Sequence, residues 1–403
     1  MKKIEGGVCA PEGFKANGVH CGIRKNKTKR DLSLIVSDVR CAAACVYTQN
    51  LVKGAPIAVT KRHVADGYAQ AIVCNSGNAN TCNANGEAIA EGMCKLVSER
   101  TGIPAEDVVV ASTGVIGQPL SLDPIAAGMD ELVKGLGDNS LFAAQGIMTT
   151  DTVDKQIAYT FTLGGKECRI GAIGKGVGMI NPNMATMLIF ITTDVSISPA
   201  MLQKALSADV KDSFNMVSVD GDTSTNDMVC VLANGQAGNA CIEENGKDFV
   251  TFRKALNKVT TNLCRRIAKD GEGATKLLEC KVVGAKSKNA AKLIAKSVIK
   301  SSLFKAAMFG ADANWGRVLC AIGYAGADAD ITKIDVDFKS KAGTLAVCRG
   351  GSGIPFSEEV AKKILSCDEI EILINMNDRG GRATAWGCDL TYDYVKINGD
   401  YRT

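Results

Sequence analysis

From Lys175 to Phe190 the chain reads Lys-Gly-Val-Gly-Met-Ile-Asn-Pro-Asn-Met-Ala-Thr-Met-Leu-Ile-Phe. Gly176, Gly178 and Pro182 exclude a continuous helix or a central strand over its first half. The second half runs straight into the apolar, β-favouring stretch Met187 to Thr192. Thr186 therefore stands where an irregular loop becomes a buried strand. A hydroxyl at a strand mouth is an ordinary structural residue.

Histidine scarcity narrows the catalytic options. His20 and His63 are the only two histidines in 403 residues, so a Ser-His-Asp or Cys-His enzyme would have to use one of them. His63 lies in Lys61-Arg62-His63-Val64, read as an exposed helix start, and His20 in a Gly-rich segment; neither is the setting of a catalytic base. The 16 cysteines are scattered without a Cys-x-x-Cys pair or a His cluster, which argues against a metal site. No export signal precedes them, so they read as reduced, buried small hydrophobes of a cytoplasmic protein. A chain 46% hydrophobic and 22% charged has ample material for a large core. Its net charge of +4 is dispersed, and the basic run Arg24 to Arg30 reads as a solvated loop rather than a nucleic-acid footprint. Without an apolar stretch of about 18 residues, neither secretion nor membrane spanning is expected.

Periodicity predicts an α/β (α+β) chain of mixed sheets and helices. Short strands are expected at Leu32 to Val36, Pro56 to Thr60, Ala71 to Cys74 and Val108 to Ala111, with helices at about Gly86 to Arg100, Asp123 to Lys134 and Ser140 to Gln145. Alternation in Gln156 to Leu163, the turn Gly164-Gly165 and Cys168 to Ile173 form a hairpin leading into the Gly-rich loop. Helices follow from Pro199 past Val210 and over Phe249 to Ala268. From Leu277 the pattern becomes strand, a helix at 288–308, strands at 331–338 and 343–348, a helix at 357–366, and strands at 369–376 and 385–397. This predicts a main domain over 1–280 and a smaller C-terminal α+β domain over 281–403.

Several polar phrases sit at strand or helix ends. Val108 to Ala111 empties into Ser112-Thr113-Gly114, where a hydroxyl and a backbone without Cβ could form an oxyanion hole or a plain turn. Asn75-Ser76-Gly77-Asn78-Ala79-Asn80 reads as a strand-to-helix turn. Gly174-Lys175-Gly176-Val177-Gly178 lacks the spacing of a phosphate loop. Asp220-Gly221-Asp222-Thr223-Ser224-Thr225-Asn226-Asp227 lacks the glycine and glutamate of a calcium loop and reads as an ordered polar turn. Glu272 stands among glycines after the 249–268 helix.

Taken together, Gly-x-Gly-Met-Ile-x-Pro-Asn-Met-Ala-Thr-Met-Leu resembles the self-cleavage and active-site signature of the ornithine acetyltransferase family of arginine biosynthesis. The other phrases recur in that family's order along essentially the whole chain. The resemblance implies a cut between Ala185 and Thr186, giving an α fragment 1–185 and a β fragment 186–403. It implies Thr186 as nucleophile, Thr113 and Gly114 as oxyanion holders, and Thr149, Lys175, Thr186, Glu272, Asn398 and Thr403 around the substrate. Where the family has Pro-Lys after Met-Thr-Thr-Asp-Thr, this chain has Asp154-Lys155, which puts that loop in doubt more than Thr149.

The activity implied is transfer of acetyl from N2-acetyl-L-ornithine to L-glutamate through an acetyl-Thr186 ester, with no cofactor and no metal. Whether acetyl-CoA is a second donor stays open. The partners implied are these small molecules and the chain's own fragments, as a heterotetramer, without nucleic acid or membrane. An N-terminal-nucleophile amidase or aminopeptidase using water as acceptor, and a silent protein that keeps only the fold, are the alternatives.

Overall fold

The computed structural model describes residues 1–181 and 187–400. By internal contacts the chain divides into a first unit (Met1–Gly176, Asn183–Lys211, Thr223–Leu263) and a second (Val177–Pro182, Asp212–Asp222, Cys264–Thr403). The sequence reading places a boundary near residue 280; the contacts draw it at Cys264 and add two earlier segments to the second unit.

The strands begin with β1 (Lys2–Ile4), β2 (Phe14–Val19), β3 (Leu32–Tyr47), β4 (Tyr68–Asn78), β5 (Val108–Val115), β6 (Lys155–Leu163), β7 (Lys166–Lys175) and β8 (Leu188–Thr193). After β9 (Val217–Ser218), a strand of the second unit, β10 (Met228–Ala233) completes the first unit's set. These strands hydrogen-bond in the order β1-β6-β7-β8-β10-β3-β4-β5, with β2 also on β3. β8 with β10 and β4 with β5 run parallel, and the other pairs are antiparallel. The helices are α1 (Ala55–His63), α2 (Gly86–Thr101), α3 (Asp123–Lys134), α4 (Ser140–Ile147), α5 (Pro199–Asp209) and α6 (Lys247–Lys269).

β3 decides the architecture of this unit. Its early residues pair with β2 and β4, its last six with β10, and the register slips between Val36 and Cys41. One buried cluster joins Ile72 and Cys74 of β4 and Val109 and Ala111 of β5 to Ile173 of β7, Phe190 of β8 and Cys230 of β10. Strands so far apart in hydrogen-bonding order share a core because the sheet turns back on itself at β3 into two facing layers. The alternate residues Ala71, Val73, Val108 and Val110 point the other way, onto Ile89, Met93 and Val97 of α2 and Ile125, Met129 and Leu132 of α3. Continuous apolar runs, as in Val108-Val109-Val110-Ala111, are what strands buried on both faces require. Behind the second layer, Leu263 of α6 lies 3.8 Å from where a Cβ on Gly174 of β7 would be, and Asn257 Nδ2 of α6 donates to Asp209 Oδ1 of α5 at 2.8 Å. Phe252, Leu256 and Val259 on the same α6 face are fully buried, each worth roughly 1.5–3 kcal/mol.

The second unit's sheet adds β11 (Leu277–Ala285), β12 (Asp335–Ser340), β13 (Gly343–Arg349), β14 (Ser352–Gly353), β15 (Glu369–Asn375) and β16 (Gly381–Cys388), in the order β14-β13-β12-β15-β11-β16-β9. Its helices are α7 (Lys288–Lys300), α8 (Ser302–Phe309), α9 (Trp315–Gly323), α10 (Glu358–Leu365) and α11 (Tyr392–Asp400).

Local chemistry corrects several expectations. Pro56 to Thr60 is helical, not extended: Pro56 sits in the first turn of α1, where its fixed φ and missing N–H suit a helix start. The helix expected at 288–308 is two, because the Ser301 side chain accepts from Phe304 N–H and caps a new helix. The 331–338 strand opens as a 3-10 turn, and extended structure begins at Asp335. The strand expected at 385–397 stops at Cys388, since Asp389 turns back to accept the N–H groups of Thr275 and Lys276, and α11 follows. Helix α9 has no counterpart in the sequence reading; Asn314 caps it by accepting from Arg317 N–H.

Candidate active site

β4 and β5 run in parallel register from Ala71 and Val108 to Asn78 and Val115. The polar end expected to be a turn after Cys74 continues as strand through Asn78, with Asn75 Nδ2 donating to Asn78 O at 2.9 Å and Ser76 Oγ to Gly146 O at 2.8 Å. Gly114 takes φ +132°, and a Cβ there would fall 2.4 Å from the Gly77 carbonyl carbon. No other residue fits that approach.

Thr113 is 7% exposed, and its Oγ1 accepts from Lys175 Nζ at 3.0 Å. Lys175 was expected in a loop. It is instead the last residue of β7, two positions beyond inward-facing Ile173, so the strand's alternation turns it into the space between the two layers. Because Thr113 Oγ1 accepts from a cation, its O–H remains available to donate, as an oxyanion holder must.

Beneath Lys175 lies a set of charges. Asp151 Oδ1 accepts from Lys155 Nζ at 2.7 Å and from Gly176 N–H at 2.9 Å, while Oδ2 accepts from Thr149 N–H at 3.0 Å. Burial alone would push the Asp151 carboxyl up, but Lys155, Lys175 and the Gly176 N–H outweigh it and hold it at about 2. Burial draws Lys175 below the ordinary lysine value while Asp151 and Asp227 pull it back. Burial raises Asp227 well above the carboxylate range, against Ser224 and Lys175. Next to it, Asn226 Nδ2 donates to Ala79 O and Ser112 O at 2.5 and 2.9 Å, and Asn226 Oδ1 accepts from Thr81 Oγ1 at 2.6 Å. These bonds tie the polar turn to the end of β5.

In the second unit, Asn398 Nδ2 of α11 donates to Glu272 Oε2 at 2.9 Å. Glu272 N–H donates to Val177 O at 3.0 Å, and a Cβ on Gly178 would meet the Glu272 carboxylate at 2.4 Å. Asp220 accepts from Met179 N–H at 2.6 Å and Ile180 N–H at 2.9 Å. The structure thus brings Thr113, Gly114 and Lys175 together, sets Thr149 on the carboxylate beneath them, and separately joins Glu272 to Asn398. Ala185, Thr186 and Thr403 lie outside the described residues.

His63 is not at an exposed helix start. It ends α1 with a largely buried ring, Nδ1 2.8 Å from Val108 O and Nε2 3.2 Å from Glu91 Oε2, a structural tie between α1, β5 and α2. Asp151, Lys155 and Asp227 escaped the sequence reading. The Asp-Thr-x-x-Lys spacing was the available signal, since an acid and a base four apart can pair in a turn as they do in a helix. Among the described residues no group of three or more His, Cys, Asp or Glu is placed to hold a metal, and no helix is long and apolar enough to cross a membrane.

Residues 15–403 match the ArgJ family. The chain belongs to the ArgJ family, the ornithine acetyltransferases of arginine biosynthesis. Among its ArgJ relatives, the arginine biosynthesis bifunctional protein ArgJ of Clostridium acetobutylicum is 50% identical over 97% of this chain and 96% of that protein. The protein of the same name from Bacillus subtilis is 46% identical over 100% of this chain and 98% of that one. A solved ArgJ structure from Bacillus halodurans is 45% identical, with a TM-score of 0.50, and matches 53% of this chain and 98% of its own.

Proposed function

We propose that this chain moves an acetyl group from N2-acetyl-L-ornithine to L-glutamate by way of an ester on Thr186, after cutting itself between Ala185 and Thr186. The observation that carries the reading is the Lys175–Thr113 hydrogen bond beside Gly114. It combines a hydroxyl with a spare O–H, a backbone without Cβ, and a cation suited to a carboxylate, in the fold of an acetyltransferase family. In the first half-reaction Thr186 Oγ attacks the acetyl carbonyl, Thr113 O–H and the Gly114 backbone take the developing oxyanion, and ornithine leaves. Glutamate then attacks the ester. The freed α-amine of Thr186 serves as base near neutrality, since an α-amino group ordinarily titrates at about 7.7 to 8.0. Thr149, Lys175, Glu272, Asn398 and Thr403 hold the substrate.

The cut has separate support. The solved Bacillus halodurans chain is matched over 98% of its length by 53% of this one, so it is about half as long, as a fragment from a central cut would be. The relatives are named bifunctional without naming a second donor; acetyl-CoA is the second acetyl donor proposed here. Assembly of the two fragments into a heterotetramer and residence in the cytoplasm complete the proposal. The test is to supply acetylornithine with and without glutamate, then acetyl-CoA with glutamate. N-acetylglutamate is the expected product of each complete mixture; acetate released to water at the same rate without glutamate would make the chain a hydrolase.

A further inference from the structure

Glu272 is fixed from two sides of the second unit, and only one of them belongs to the chemistry above. On that side Asn398 Nδ2 donates to Glu272 Oε2 at 2.9 Å. On the other stands the main chain of Val177 to Asn181. Val177 O accepts from Glu272 N–H at 3.0 Å. Gly178 leaves no room for a side chain, since a Cβ there would lie 2.7 Å from Glu272 Oε1 and closer still to Oε2. The half-buried Glu272 carboxylate therefore rests on a bare stretch of backbone.

That stretch is itself held by Asp220. Met179 has a φ of +56°, a left-handed conformation that a residue other than glycine keeps only where its surroundings impose it. Asp220 Oδ2 accepts from Met179 N–H at 2.6 Å, and Oδ1 accepts from Ile180 N–H at 2.9 Å and from Asp222 N–H at 3.1 Å. Ile180 O accepts from Val219 N–H at 2.7 Å, and Asn181 Nδ2 donates to Gly221 O at 3.0 Å. Val177 and Ile180 are buried. Both oxygens of Asp220 are needed, because an amide would keep one acceptor and turn its NH₂ group toward a backbone N–H.

We propose that Asp220 and Gly178 are positioning residues for the substrate: Asp220 holds Val177 to Asn181 in place, and Gly178 leaves the Glu272 carboxylate the room to face the substrate's cationic amino group. This rests on the assignment of Glu272 to substrate. On the proposed cut, the supporting backbone belongs to the α fragment, while Asp220 and Glu272 belong to the β fragment. The α fragment's end then completes a site on the other fragment.

The test is steady-state kinetics with acetylornithine on Asp220→Asn and Gly178→Ala, each alone and combined with Glu272→Ala. A displaced carboxylate raises KM about tenfold and leaves kcat within a fewfold of wild type, since Glu272 holds ground state and transition state alike. In the Glu272→Ala background neither substitution should raise KM further, because the group through which they act is gone. An unchanged KM in either single variant, or a further tenfold loss on top of Glu272→Ala, would overturn the inference. Gly178 does not have a left-handed φ and its change to Ala keeps every backbone group, so Gly178→Ala decides alone should Asp220→Asn fail to fold or to be cut. If Glu272→Ala itself turns over normally, the assignment of Glu272 to substrate falls first and this inference with it.

Discussion

Lys175 and Thr113 meet through a 3.0 Å hydrogen bond although their strands, β7 and β5, are separated by four others in hydrogen-bonding order. Only the folding of the sheet at β3 makes that contact possible. The core between the layers therefore positions the site directly, and loosening it should reach the chemistry before it unfolds the protein.

Thr113→Val keeps the shape and removes the hydroxyl. Loss of one oxyanion donor costs on the order of 100-fold or more in kcat, so steady-state kinetics should show a fall of that size with little change in far-UV circular dichroism. Turnover within a fewfold of wild type would remove Thr113 from the oxyanion role.

Asp151 gives a pH signature. Its carboxyl is held at about 2 when folded, against about 3.9 in an unfolded chain, a difference of roughly 2.5 kcal/mol. A depressed folded value means this stability is present above the unfolded pKa and is lost as pH falls from about 4 toward 2. Asp151→Asn leaves Lys155 buried without an anion and should cost about 3–5 kcal/mol at neutral pH. Urea melts at stepped pH should show the gap between wild type and variant narrowing over that acid window. A gap independent of pH would mean Asp151 is not ionised in the fold.

Glu272→Ala removes the acceptor of the Asn398 bond and, on the proposed role, a charged contact to substrate. Hydrogen bonds to charged groups are worth about 1.5–3 kcal/mol, or tenfold and more in kcat/KM for acetylornithine. Self-cleavage should proceed nearly unimpaired, since it acts on the chain's own Ala185–Thr186 bond. A variant that turns over normally would take Glu272 out of the substrate site.

The sequence conveyed regular elements with strong local signals. Helix α3 and the β6–β7 hairpin appear where Asp123, the apolar alternation and Gly164-Gly165 predict them. It misled where one residue overrode a pattern: Pro56 turned a strand-like run into α1, Ser301 split a helix, and Asp389 ended β16 early. The length of β3 was hidden by its Ala/Cys-rich middle, whose small side chains let two layers approach but carry little periodic signal. Within the candidate site, Thr113 and Gly114 were singled out through the family resemblance, since a hydroxyl and a glycine at a strand end fit a plain turn as well as an oxyanion hole. The Asp151–Lys155 pair and Asp227 were not, because their meaning comes from burial and from a lysine 20 or more residues away in the chain.

Everything proposed for the chemistry depends on Thr186 being first the agent of cleavage and then the nucleophile of transfer. N-terminal sequencing of the bands from a denaturing gel decides this. The wild-type 42.3 kDa chain should give two fragments, residues 1–185 and 186–403, the second beginning Thr-Met-Leu-Ile. Thr186→Ala should run as one uncut chain without transferase activity. An uncut wild-type chain that is fully active, or an active Thr186→Ala, would rule out both roles.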